Sequence, residues 1–374
     1  MRPQNLITFP RMLHPGAWWL WALGLAAAAS RTQNPIPLLL ILAVTAFVVA
    51  ARKSDAPWAR SYGAFLKLAL VVIGIRIVFQ ALLSSGSQGP TVLFTLPEIP
   101  VPGSTGIKLG GEVTLEAVLQ AFYEGLQLAT ILVCVGAANS LGSARRLLRS
   151  VPGALYEVGI AVVIALTFAP QLVTDAARVR AAHRLRGQSG GLRAMKRLAM
   201  PVLEGALDRS VELAAAMDSR GYGRTTAATP AARRLTGLLT LTGLLGLCVG
   251  VYGLLSATSA GWLGLPMLVA GSLLCAAGIY FGGRRIGRTT YRPDPWALPE
   301  WLVAGSGLTA AAAMFVNVRA DPAELVLASI TAVPPVPLVA TFGILVAMLP
   351  AIVAPPLPRP AAQTTRSSEM EVAA

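Results

Sequence analysis

Two stretches of this sequence end a helical pattern on an arginine followed at once by glycine. The first is Ala182-His183-Arg184-Leu185-Arg186-Gly187 and the second is Ala216-Met217-Asp218-Ser219-Arg220-Gly221-Tyr222. Glycine just past a helix end takes the left-handed conformation that releases the chain. Arginine in the last turn is favoured by the negative end of the helix dipole. Those two local effects account for either arginine alone. Two such ends in one basic segment point further. A guanidinium at a helix tip can form a bidentate pair with a carboxylate, which is the chemistry of docking into an acidic groove, not of making or breaking bonds. The helix before the second tip supports this reading. Leu203, Leu207, Val211, Ala214 and Met217 follow helical spacing and form one apolar stripe, while Glu204, Asp208, Arg209 and Glu212 lie largely off it.

Other residue types offer little catalysis. Cys134, Cys248 and Cys275 sit in apolar runs and are odd in number, so they read as small core residues. His14 and His183 are too far apart in sequence to indicate a metal site. No Gly-x-x-x-x-Gly-Lys-Ser/Thr stretch is present for a P-loop. The expectation is no catalytic residue, no metal and no cofactor. Arg76 falls inside an apolar run, and Glu116, Gln120 and Glu124 share a helix face in the next one. Ionisable residues inside a membrane are costly and often functional. Here Glu116 and Gln120 read as outer-interface residues, and Arg76 and Glu124 as a candidate structural pair.

The elements that must carry these residues follow from composition. The 374 residues are 55% hydrophobic and 13% charged, with a net charge of +14. Soluble domains average about 25% charged residues, so the chain reads as an all-α polytopic membrane protein. A spanning helix needs roughly 20 apolar residues. Eight runs qualify: 12–29, 36–51, 64–83, 113–138, 235–256, 262–281, 301–318 and 325–354. Basic loops at 52–60, 140–150, 175–234 and 284–292 then all lie in the cytoplasm, with both termini. The segment 84–112, rich in proline and small residues, reads as an external loop. The apolar stretch 155–173 lies between two basic segments, so it is expected to stay at the cytoplasmic face, starting near Pro152 and kinked or broken at Pro170. The organisation is a four-helix transmembrane region over 1–138, cytoplasmic helices with the two Arg-Gly ends over 139–234, a second transmembrane region with its extra hairpin over 235–354, and a disordered cytoplasmic tail over 355–374. Gly246-x-x-x-Gly250 and Gly278-x-x-x-Gly282 are candidate helix-packing faces.

The middle segment resembles the transmembrane T component of energy-coupling-factor transporters, the CbiQ/EcfT family. The first stretch looks like the family's Ala-Gln-Arg-Ala-Arg-Gly, and the second like its Ala-Met-Glu-Ala-Arg-Gly-Tyr. The departures are Leu185 and Ser219, where alanine is usual. His14-Pro15, Asn34-Pro35, Leu166-Thr-Phe168-Ala-Pro170, Tyr291-Arg292 and Trp301 extend the likeness with less specificity. The runs at about 235–281 have no place in the usual shorter member and read as an inserted hairpin. The resemblance implies a non-catalytic scaffold in the plasma membrane. Its partners would be two cytosolic ABC ATPase subunits and a membrane S component that binds the substrate, a vitamin or transition-metal ion. Arg186 and Arg220 would couple to the ATPases, supported by Arg184, Gly187, Met217, Gly221 and Tyr222.

Two other classes compete. A secondary transporter or channel would use the intramembrane charges as its own substrate path. A nucleic-acid-binding protein would use the basic segment 175–234, whose twelve basic and five acidic residues leave a net charge of +7. Acids interrupt that segment and Tyr222 is its single aromatic residue, which disfavours base stacking. No nucleic-acid partner is expected. Contact of Arg193, Lys196 and Arg197 with membrane lipids is expected as a secondary effect.

Overall fold

The computed structural model describes residues 12–52, 61–83, 89–100, 108–149, 156–185, 192–222, 230–256, 261–283, 296–320 and 334–355. They fall into two compact units. One runs from Met1 to Leu147 and from Asp294 to Ala374; the other comprises Leu148–Pro293.

The first unit contains α1 (Pro15–Ala29), α2 (Pro35–Arg52), α3 (Ser61–Leu82), α4 (Leu115–Leu141), α10 (Leu298–Ala320), α11 (Leu338–Val346) and α12 (Pro350–Val353). The short α5 (Ala144–Arg149) follows α4 at the unit boundary. Its helix starts are defined by side chains. His14 Nδ1 accepts the Gly16 N–H at 3.1 Å, with Pro15 in the first turn of α1. Thr114 Oγ1 caps α4 through the Ala117 N–H. Glu300, in the first turn of α10, reaches back to the Ala297 N–H at 3.1 Å, the carboxylate half of a capping box. The turn between α1 and α2 is built by Asn34. Its Oδ1 accepts from Ile36 and its Nδ2 donates to the Pro335 carbonyl at 2.7 Å.

The core of this unit is the contact of α1 with α2, α4 and α10. Trp21 and Leu25 are fully buried in it, and the Trp21 indole donates to the Ala347 carbonyl at 3.0 Å. Gly24 and Gly307 let α1 and α10 touch backbone to backbone. A Cβ on Gly24 would stand 2.3 Å from the Gly307 carbonyl oxygen.

The segment expected to be a loop is partly a sheet. β1 (Val92–Pro100) pairs antiparallel with β2 (Lys108–Thr114), from Val92 opposite Thr114 to Pro100 opposite Lys108. Prolines suggested a loop because they cannot donate to a central ladder. Both strands of a two-stranded sheet are edges, so proline is tolerated there. Pro97 falls in the irregularity between Leu96 and Ile99, opposite the positive-φ residues Gly110 and Gly111.

The second unit contains α6 (Tyr156–Leu185), α7 (Leu192–Ser219), α8 (Pro230–Leu255) and α9 (Leu265–Gly283). Of the kink or break expected at Pro170, the break is absent, since α6 is one helix through that residue; Pro152 lies outside the described residues. α8 and α9 form a hairpin with glycine at the contact. A Cβ on Gly243, Gly250 or Gly271 would come within 2.5–2.6 Å of a backbone nitrogen on the facing helix. Gly246 packs on Gly271, and Gly278 meets Thr240. These contacts identify the Gly246 and Gly250 face as an interface.

Seven described helices are long and apolar enough to cross a membrane: α2, α3, α4, α6 from Val158, α8 from Arg234, α9 and α10. α1 has 15 residues, and Leu338–Val353 is a shorter apolar stretch. Six of the eight runs expected to span fall on these helices; 12–29 holds the shorter α1, the described part of 325–354 holds α11 and α12, and residues 325–333 lie outside the described residues. α6 also meets the length and composition of a span.

Candidate functional site: the coupling helices

The second arginine tip is fully defined. α7 ends at Ser219, and Gly221 adopts φ 77°, the left-handed region. The Gly221 N–H donates to the Asp218 carbonyl at 2.9 Å, and the Tyr222 N–H donates to the Met217 carbonyl at 3.0 Å. This pair of bonds is a Schellman motif. It satisfies carbonyls that the helix end would otherwise leave open, and it turns the chain away directly after Arg220. Arg220 is exposed, and its guanidinium has no hydrogen bond or ion pair among the described residues. Tyr222 is exposed and Met217 half-buried.

The first tip is described up to Leu185, which is 90% exposed. Arg184 is exposed and His183 half-buried in the last turn of α6. Arg186 and Gly187 lie outside the described residues.

Between the tips, α6 and α7 are tied by a carboxylate. Asp175 Oδ2 accepts from Arg209 Nη1 at 3.0 Å, and its other oxygen lies 3.5 Å from Arg178 Nη1, one turn along α6. Sequence reasoning gave Asp175 and Arg209 no role. The available signal was an acid standing alone in the basic half of α6, where a partner must come from a second helix. The apolar stripe of α7 is open: Leu203, Leu207 and Val211 are 56%, 64% and 68% exposed. Rows of exposed apolar residues on one helix mark interaction surfaces.

The intramembrane polar residues form a separate group on α3 and α4. Arg76 Nη2 makes an ion pair with Glu124 Oε2. Gln120 Nε2 donates to the other Glu124 oxygen at 3.1 Å. Glu116 accepts from the Thr91 hydroxyl at 2.9 Å, next to β1. The candidate pair of Arg76 and Glu124 is therefore present. Among the described residues, no group of three or more His, Cys, Asp or Glu side chains is arranged to hold a metal ion.

These features define a polytopic helical membrane protein with two long helices, α6 and α7, of which α7 ends beside an arginine that has no partner among the described residues. The family described as CbiQ, cobalt transport protein, matches residues 8–230, and the chain belongs to it. Among curated relatives, the energy-coupling factor transporter transmembrane protein EcfT of Limosilactobacillus fermentum is 26% identical over 201 residues, covering 51% of this chain and 71% of the relative. The protein of the same name from Leuconostoc gelidum subsp. gasicomitatum is 29% identical over 189 residues, covering 47% and 67%. The family match contains both arginine tips and ends where α8 begins.

Proposed function

We propose that this protein is the transmembrane scaffold of an energy-coupling-factor importer. It joins two cytosolic ABC ATPases to a membrane S component that captures a vitamin or transition-metal ion. The observation that carries the reading is the tip of α7, where Arg220 has no partner among the described residues and stands beside a left-handed glycine, on a helix whose apolar stripe at Leu203, Leu207 and Val211 is exposed. Arg220, and Arg186 by its matching sequence, would each enter an acidic groove on one ATPase, with Arg184, Gly187, Met217, Gly221 and Tyr222 shaping the contacts. The open stripe would bear on the S component. Hydrolysis would belong to the ATPases, and this chain would be non-catalytic.

The same reading places the termini and the basic segments in the cytoplasm, with α6 held at that face by its charged flanks. In the first unit, Met12, Arg52, Ser143 and Pro355 border one cleft, so the residues just before α1, at the end of α2, just after α4 and just after α12 share a side, which supports this reading. A secondary transporter with its own substrate path is the second reading. The polar side chains it needs are engaged with one another: Glu124 is shared by Arg76 and Gln120.

The test is co-expression of the tagged chain with the ATPases and the small membrane proteins encoded beside it. Recovery of a four-part complex whose uptake in vesicles depends on ATP supports the scaffold. Substrate uptake by the chain alone would replace it with the transporter reading.

A further inference from the structure

The β1–β2 ribbon has two unlike faces. Residues paired across an antiparallel ladder share a face, and neighbours along a strand take opposite faces. Thr95 pairs with Glu112, and both are exposed. Phe94 pairs with Val113, which is fully buried. Leu96, two residues along from Phe94, is half-buried. One face is therefore polar and the other apolar. β2 contacts α3 and α4, so the face that buries Val113 is the one turned to those helices. Phe94 stands on the same face, yet it is 50% exposed. It overhangs the helices that cover its partner.

Helix lengths give the depth of this overhang. α4 has 27 residues, about 40 Å at 1.5 Å per residue, against roughly 30 Å of hydrocarbon in a bilayer. Its last residue, Leu141, borders the same cleft as Arg52, the last residue of α2. The two helices end level there, so the excess of about 10 Å falls at the start of α4. Glu116 lies in that excess, and the Thr91 hydroxyl just before β1 donates to it at 2.9 Å. A headgroup layer is about 5–8 Å thick. The ribbon therefore begins at the upper edge of this layer, with its apolar face looking back into it.

The surface beside Phe94 belongs to a span. α3 lies antiparallel on α4, with Phe65 at Gly136 and Arg76 at Glu124, so its last turn ends beside the first turns of α4. Phe79, Leu82 and Leu83 are exposed there, at the end of a spanning helix of which Ala69 is the one buried residue. β1 is paired on one side by β2. Its open edge would leave backbone groups unsatisfied in hydrocarbon, but water and headgroups satisfy them at the interface.

We propose that the ribbon is an interfacial anchor: it caps the ends of α3 and α4 and sets Phe94 into the headgroup layer of the adjoining leaflet, with Thr95 and Glu112 toward water. The occupant of its overhanging apolar face is the lipid surface, because that face continues the lipid-facing side of α3. An apolar face at this depth binds by burial at the headgroup–acyl boundary. The anchor is independent of the role of the arginine tips and of which leaflet is the outer one.

The experiment uses the full chain, lacking Cys134, Cys248 and Cys275, in vesicles of phosphatidylcholine and phosphatidylglycerol. A nitroxide is attached through Phe94→Cys, Thr95→Cys or Glu112→Cys, and through Leu70→Cys as the reference for a lipid-facing site on α3. Collision with oxygen, which partitions into the bilayer, is compared with collision with a water-soluble nickel chelate. The ratio at 94 should be severalfold that at 95 and at 112, and below that at 70. Phe94→Trp keeps an aromatic ring at the site, and phospholipid brominated near the headgroup should quench the emission it adds to the wild-type signal. A ratio at 94 equal to that at 95 puts both faces in water and overturns the anchor, as does added emission that the brominated lipid leaves intact. Low collision with both reagents at 94 would mean that protein covers the strand, and it overturns the lipid as the occupant.

Discussion

Asp175 and Arg209 join the two helices that carry the arginine tips, through an ion pair of 3.0 Å. The carboxylate is 22% exposed and the guanidinium 37%. An exposed ion pair contributes about 0–1 kcal/mol to stability, so its value lies in register: it fixes one point of α6 against one point of α7. If the Arg220 tip docks on a partner as proposed, this tie is the route by which movement there would reach α6.

From this pair we predict uncoupling without unfolding. Asp175→Asn and Arg209→Ala should leave expression and ATPase binding close to wild type. They should lower substrate uptake per ATP hydrolysed in proteoliposomes severalfold. Wild-type coupling ratios in both variants would show that the pair does not transmit motion.

A second prediction concerns Arg76 and Glu124, an ion pair within the spans of α3 and α4. A single charge at the centre of a membrane helix costs about 2.5–3.5 kcal/mol on insertion scales, and each of these residues shields the other. Arg76→Glu should reduce the yield of folded protein, because two carboxylates then face each other. Adding Glu124→Arg should restore part of it, as read by fluorescence-detected size exclusion. Failure of the double variant to improve on the single one would mean that the pair is not what stabilises this place.

The sequence reading and the structure agree where a physical rule is local. Six of the eight apolar runs fall on described helices long enough to span, because span length is a property of each run alone. The end of α7 was legible because a glycine after arginine has few other uses. The strands of 92–114 were missed because proline and glycine were weighed as if any strand there would be central, and a hairpin of two edges relaxes that rule. The tie between Asp175 and Arg209 was illegible for another reason. It joins residues 34 positions apart, and nothing in either helix alone fixes the rotation that brings them together.

The α8–α9 hairpin gives a third prediction, because its glycines leave no room. A Cβ on Gly271 would meet the Leu247 nitrogen at 2.6 Å. Overpacking a close contact typically costs about 1–3 kcal/mol. Gly271→Leu should separate the helices and expose Leu255 and Trp262 flanks to limited proteolysis, whereas Gly261→Ala, where a Cβ meets nothing within 4 Å, should be silent. Equal protease resistance in both variants would argue against close packing as the basis of the hairpin.

Topology supplies a fourth. The basic turns should be cytoplasmic and Ser87, ahead of the β-hairpin, external. In a variant lacking Cys134, Cys248 and Cys275, a cysteine at position 87 should react with an impermeant maleimide on whole cells. A cysteine at position 143, which borders the Arg52 cleft, should react only after the cells are opened. Labelling of position 143 from outside would overturn the placement of 155–173 at the cytoplasmic face and put α6 across the membrane.

The last prediction concerns the two tips. Arg220 is exposed, with no partner among the described residues, directly before a left-handed glycine, and Arg186 precedes Gly187 in the matching stretch. If each guanidinium enters a groove on one ATPase, the two contacts are equivalent and additive for assembly, while transport needs both. Truncating one partner of a buried interfacial charge pair typically costs about 2–5 kcal/mol. Charge reversal is worse, because it sets a carboxylate against an acidic groove. Arg186→Glu combined with Arg220→Glu should therefore leave the protein in the membrane and lose both ATPases on purification. Arg186→Ala and Arg220→Ala should each keep partial assembly and lose more transport than binding. Arg193→Ala and Arg233→Ala should behave as wild type, which separates contact at the tips from general positive charge. Full recovery of both ATPases with the double glutamate variant would remove the arginine tips from the mechanism, because no other change in that variant opposes binding.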